Sequence, residues 1–148
     1  MKPDRVALLH ERVRTFLEEL KHPFEETGET FVLVYGSTRV LVRPQRWTRD
    51  HSILKVRAHV LNDVELDGNE HMFEEFNNMN DRFLFGTIFW TPKADGVGDI
   101  VIEHNLIGET LDSKEFSTAL LALALTADDL DDNLQDHLGG RRAVDPRD

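Results

Sequence analysis

The sequence predicts one α+β domain: a largely antiparallel five-stranded sheet packed by helices, in the order α-β-β-β-α-β-β-α. Three observations predict it. Three segments carry apolar residues at helical spacing. Between them lie runs that are continuously apolar or alternate in polarity, as strands do. The turns joining those runs are short, which favours antiparallel neighbours. The chain of 148 residues, with 40% hydrophobic and 30% charged residues, is the size of a single domain and long enough to bury a core.

The first helix is expected over residues 4–21. Val6, Leu9, Val13, Phe16, Leu17 and Leu20 share a stripe, Asp4 is placed to cap it and His22-Pro23 to stop it. Phe31 to Tyr35 is a continuously apolar strand, and Gly36-Ser37 a turn signal. Arg39 to Arg43 alternates and is expected to end at Pro44. Ile53 to Leu61 alternates again, with Leu54, Val56, Ala58 and Val60 on one face and Lys55, Arg57 and His59 on the other. A second helix is expected over 67–80, opened by the capping box Asp67-x-x-Glu70, with Met72, Phe73, Phe76 and Met79 on its apolar side. Strands at 83–91 and 97–104 should form a hairpin around Pro92 to Gly96. A long helix opens at the box Asp112-x-x-Glu115, runs with Phe116, Leu120, Leu123, Ala127, Leu130, Leu134 and Leu138 inward, and closes at Gly139-Gly140. The domain is thus expected to span 4–141, with 142–148 a charged, disordered tail.

Composition excludes much chemistry. There is no cysteine, hence no disulfide, no thiolate metal site and no Cys nucleophile. No phosphate-binding loop, dinucleotide fingerprint or Gly-x-Ser-x-Gly elbow occurs. No two of the seven histidines are spaced i, i+4, so no helix offers a His-His zinc pair. Asp129, Asp131 and Asn133 imitate the start of a calcium loop, but Leu134 and Gly140 stand where glycine and glutamate are needed. Paired acids such as Glu74/Glu75 and Asp131/Asp132 diverge around a helix and do not converge on a substrate. Neither a catalytic residue, a metal nor a cofactor is expected.

Net charge is −11, unevenly spread: residues 1–61 hold 11 Lys/Arg against 8 Asp/Glu, and residues 62–148 hold 6 against 20. Such a chain repels nucleic acid and anionic membrane at long range, so neither is expected as a partner. No apolar run reaches the length of a membrane span or a signal peptide, and a cytoplasmic location is expected.

Two runs are apolar on both faces: Phe31 to Tyr35 and Phe83 to Trp90. If helices cover one side of the sheet, their outer side chains must meet a second subunit, a bound segment or another part of the chain. Arg39, Arg43, Lys55 and Arg57 are placed to stand beside them, and mixed aromatic and arginine surfaces mark interaction sites.

The residues also resemble a family. Tyr35-Gly36 before Val40-Leu-Val42, Asn77-x-x-Asn80, Phe85-Gly86, His104-Asn-Leu-Ile-Gly108, Ala127-Asp128-Asp-Leu-Asp-Asp132 and Leu138-Gly-Gly-Arg141 follow one another in this order. Together they resemble the peptide-binding chaperone-like domains that group type III secretion chaperones with YbjN proteins, in the form common in actinobacteria. The resemblance covers residues 4–141. It implies a non-enzymatic chaperone or adaptor that holds an extended segment of a client polypeptide. Phe85, Phe89, Trp90 and Tyr35 would receive its apolar side chains, and Arg43 and Arg57 its acidic or carbonyl groups. A second copy of the chain is the other partner considered, with Met72, Phe73 and Phe76 as the interface. The alternative is a small-molecule-sensing or regulatory domain with a pocket between sheet and helices.

Overall fold

The structure, a computed structural model, describes residues 4–144. Its elements are α1 (Arg5–Leu20), β1 (Glu25–Thr27), β2 (Thr30–Tyr35), β3 (Thr38–Thr48), β4 (His51–Glu65), α2 (Met72–Arg82), β5 (Thr87–Ala94), β6 (Val97–Ile107) and α3 (Ser113–Leu138). The six strands form one sheet in the order β1-β2-β3-β4-β6-β5, antiparallel throughout. The fold is the expected α+β sheet-and-helix domain with one strand more. The additional strand, β1, is Glu-Glu-Thr. It carries no apolar signal and pairs with β2 through its main chain. No described helix is long and apolar enough to cross a membrane.

All three helices lie on one face. Leu9, Val13 and Leu17 of α1 and Phe116, Leu120, Leu123, Ala127 and Leu134 of α3 bury against Phe31, Leu33, Val40, Val42, Leu54, Val56, Ala58, Ile100 and Ile102 of the sheet. Burying each of these side chains larger than alanine stabilises the fold by roughly 1.5–3 kcal/mol. Asp4 caps α1 by accepting from Val6 N–H (2.9 Å), and Asp112 caps α3 by accepting from Glu115 N–H (2.7 Å).

Several boundaries differ from those the sequence suggests. β3 runs through Pro44 to Thr48. β2 starts at Thr30, so at Pro44 the strand has only β4 beside it and the missing N–H breaks no ladder bond. α2 opens at Met72, not Asp67. Residues 66–71 turn instead, and the Asn69 amide ties that turn to the carbonyls of Glu65 (2.8 Å) and Leu138 (3.0 Å). Phe83 to Gly86 is not strand. Gly86 has φ +82°, and a Cβ there would stand 2.7 Å from Ile102 Cγ2, so the chain bends close over β6 before β5 begins. Arg141, the last residue of the expected domain, pairs with Asn62, and the start of the tail expected to be disordered is bonded too: Arg142 donates to Asp132, and Val144 N–H donates to the Ser37 carbonyl. Residues 145–148 lie outside the described residues.

The acidic run of α3 has a structural task. Ser37, at the β2–β3 turn, donates its N–H and hydroxyl to Asp128 Oδ1 (both 2.9 Å), and its hydroxyl also reaches Asp131. Gly36 makes the approach close enough: its φ is +56°, and a Cβ would stand 2.5 Å from Asp128 Oδ1. Gly36→Ala should therefore lower the unfolding free energy by about 1–3 kcal/mol, read as a fall in the urea midpoint.

Asp131 is buried, and burial pushes its carboxyl above the ordinary range while the Ser37 hydroxyl and Arg142 oppose the shift. A carboxyl raised on folding favours the folded state when protonated, and that contribution is lost as pH rises through the raised value. Asp131→Asn keeps an acceptor for Ser37 and removes the buried charge. It should raise the urea midpoint at neutral pH, with the gain disappearing as pH falls below the ordinary aspartate range.

Candidate functional site

The sheet face turned away from the helices is divided into two halves. On the β4-β6-β5 half the charged side chains pair with one another. Arg57 donates to Glu103 through Nε (2.7 Å) and a terminal nitrogen (2.6 Å), and Lys55 Nζ lies 3.1 Å from the same carboxylate. The Arg57 guanidinium also stands 5.7 Å from the centre of the Phe89 ring. Lys93 joins Asp99 (2.9 Å) and Asp63 (2.5 Å), and His59 approaches Asp99 at 3.8 Å. Val101, in register between His59 and Phe89, is fully buried beneath this layer. Burial holds the His59 imidazole below its ordinary pKa, against the opposing pull of the Asn62 hydrogen bond and Asp99.

The β2–β3 half is built differently. Val32 and Val34 of β2 stand opposite Leu41 and Arg39 of β3, and Arg43 follows two residues beyond Leu41. Val34 is 42% exposed. Neither Arg39 nor Arg43 has an ion-pair or hydrogen-bond partner among the described residues. His22, Pro23, Phe24 and Glu25 rise at the edge and close a groove of about 750 Å³ over Val32, Val34, Arg39 and Leu41. A second groove of about 260 Å³ continues from Leu41 past Arg43 to Lys55 and Arg57. The edge is fixed by His22, whose Nε2 donates to the Val34 carbonyl (2.9 Å) and whose ring stacks on Tyr35 at 4.1 Å. The result is an apolar floor flanked by two unpaired guanidinium groups.

Sheet edges offer less to a partner. The Asn80 side chain donates to the Ile88 carbonyl (3.1 Å) and accepts from its N–H (2.8 Å), occupying the outer main chain of β5 at that position. Four residues further along the strand, Pro92 has no N–H to give. β1 has three residues.

Sequence comparison decides the family. The model described as T3SS (YopN, CesT) and YbjN peptide-binding chaperone 1 matches residues 7–146. The chain belongs to this family of peptide-binding chaperones. No curated protein matches it in sequence. Solved structures share the fold. YbjN from E. coli has a TM-score of 0.61 at 12% identity, over 83% of this chain and 91% of that one. A chain of the ExsC–ExsE complex has a TM-score of 0.60 at 15% identity, over 88% and 96%.

Within this chaperone fold the residues singled out from the sequence part company. Arg43, Arg57 and Phe89 share the open face. Tyr35 points to the helix side, where burial raises its phenol pKa. Trp90 does too, packing on the core and donating its indole N–H to the Val64 carbonyl (3.1 Å). Phe85 stands beyond the end of β5, edge-on to His104 at 5.7 Å, in a hollow of about 350 Å³ that Leu106 and Ala119 also line. Met72 and Phe76 are buried in this chain's own core, which corrects their expected placement on an interface; Phe73 is exposed. The open-face residues Val32, Val34, Arg39 and Leu41 were legible only as a two-sided apolar strand and its basic neighbour.

The two halves of the face predict different mutational costs. Arg57→Ala strips Glu103 of its closest donor and removes the cation from the Phe89 ring, and should cost about 2 kcal/mol by chemical denaturation. Arg43→Ala breaks no bond and should change stability by no more than about 0.5 kcal/mol.

Proposed function

We propose that this chaperone-family protein is a non-enzymatic, cytoplasmic binding protein that holds an extended segment of a client polypeptide on the β2–β3 half of its open sheet face. One observation carries the proposal: an outward-facing apolar floor of exposed Val34 with half-buried Val32 and Leu41, flanked by exposed Arg39 and Arg43, which have no partner among the described residues. A strand-like segment lying there would place alternate apolar side chains on the floor. Its carboxylates or carbonyls would meet the two guanidinium groups, which are already exposed and need no rearrangement. Arg57 and Phe89 would extend the contact beyond Arg43. The complex named in the ExsC–ExsE structure, a relative by fold, supports a polypeptide partner.

The test is capture on immobilised protein from the native lysate, read by mass spectrometry, beside a column carrying Val34→Asp with Arg43→Glu. Both changes lie on the surface and should leave the thermal transition in place. One or two polypeptides should be enriched near stoichiometry on the parent and lost by at least about tenfold on the variant, the consequence of removing a buried apolar contact and a charged one. Equal retention on both columns would contradict the assignment of this face.

A further inference from the structure

His71, Glu75 and His137 converge where α2 begins and α3 ends. Their ligand atoms all lie within 4.8 Å of one another, and no other three His, Asp or Glu side chains do so among the described residues. His71 is the N-cap residue of α2 and makes no side-chain capping bond. Glu75 is one turn further on the same helix face. His137 sits in the last turn of α3. The two histidines are distant in sequence, and only the packing of α2 against the end of α3 makes them neighbours.

Two features prepare the trio for a cation. His137 Nδ1 is 2.9 Å from the Asn133 carbonyl oxygen. A carbonyl only accepts, so that nitrogen carries the proton and Nε2 is turned to the opposite side, 3.2 Å from Glu75 Oε2. A neutral ring held this way aims a lone pair at a carboxylate oxygen, a contact that is favourable only with a positive charge on or between the two atoms. A carbonyl bonded to the far nitrogen is also the arrangement that orients metal-bound imidazoles. In addition, the Asn69 amide bonds the Leu138 carbonyl (3.0 Å), so the start of α2 and the end of α3 are already tied together.

We propose that His71, Glu75 and His137 bind one Zn²⁺ ion, with a water completing the set. Two imidazole nitrogens and one carboxylate oxygen are borderline donors that suit zinc, and they are poor partners for calcium or magnesium, which take all-oxygen shells. Bonds of about 2.0–2.2 Å require the ligand atoms to draw together by side-chain rotation. His71 and His137 are exposed and Glu75 half-buried, so rotation is free and the ion enters from solvent. The bound ion would bridge the first turn of α2 to the last turn of α3, on the helix side of the sheet and away from the open face. It would strengthen the packing of α2 without touching the client.

The test is isothermal titration of ZnCl₂ into the full chain, with MgCl₂ and CaCl₂ as controls, alongside His71→Ala, His137→Ala and Glu75→Gln. All three positions are at least partly exposed, and circular dichroism should show the variants folded. One zinc per chain is expected, with affinity at least about tenfold weaker in each variant. Thermal melting should rise with ZnCl₂ in the parent and not in His137→Ala. Zinc binding of equal affinity in both histidine variants would place the ion elsewhere, and absence of binding in the parent would also overturn the site.

Discussion

A single sheet has two faces, and this chain has helices for one of them. Everything else in the structure answers that constraint. The inner face is closed by α1, α2 and α3, whose apolar stripes meet the inward residues of β2, β3, β4, β5 and β6. The outer face must be made compatible with water without a second layer. Across β4, β6 and β5 this is done with charge: Arg57, Lys55 and Glu103, then Lys93, Asp99 and His59, lie over Val101 as a paired layer. Across β2 and β3 it is left undone. The main chains of the two strands pair there, yet valines and a leucine face outward beside guanidinium groups that meet no acid among the described residues.

That asymmetry separates structural charge from binding charge. In sequence, Arg39, Arg43, Lys55 and Arg57 look equivalent: each is a basic residue on the polar side of an alternating strand. In the folded chain, strand order distinguishes them. β4 is central and lies beside β6, which carries Glu103, so Lys55 and Arg57 find a partner. β3 lies beside β2, whose outward residues are apolar, so Arg39 and Arg43 find none among the described residues. The acidic second half of the chain compensates the basic first half only where topology brings them into register.

Much of the fold could be read from periodicity because periodicity reports burial on one side. The helical stripes of α1 and α3 and the alternation of β3 and β4 translate directly into inward-facing side chains. The features that escaped had weaker or conflicting signals. β1 is polar and pairs by its main chain. The Asp67-x-x-Glu70 pattern contains Gly68, whose φ is +84°, and the chain turns there before α2 begins. Phe83 to Trp90 read as one two-sided strand, although Gly86 breaks it. That break sends Phe85 to a hollow beside α3, while alternation within β5 puts Trp90 with Ile88 on the core side. The candidate site was therefore half legible: its arginines and its apolar strand were visible, but the partner strand beneath each aromatic depended on register that sequence pattern does not carry.

The most direct test of the open-face account uses the absence of cysteine. Val34→Cys and Leu125→Cys each create a unique thiol, one on the β2–β3 floor and one on the exposed side of α3. Each can be labelled with a photoreactive group and irradiated with captured client. The account predicts a cross-linked client from position 34 and none from position 125. Cross-linking from position 125 alone would place the client on the helices and contradict it.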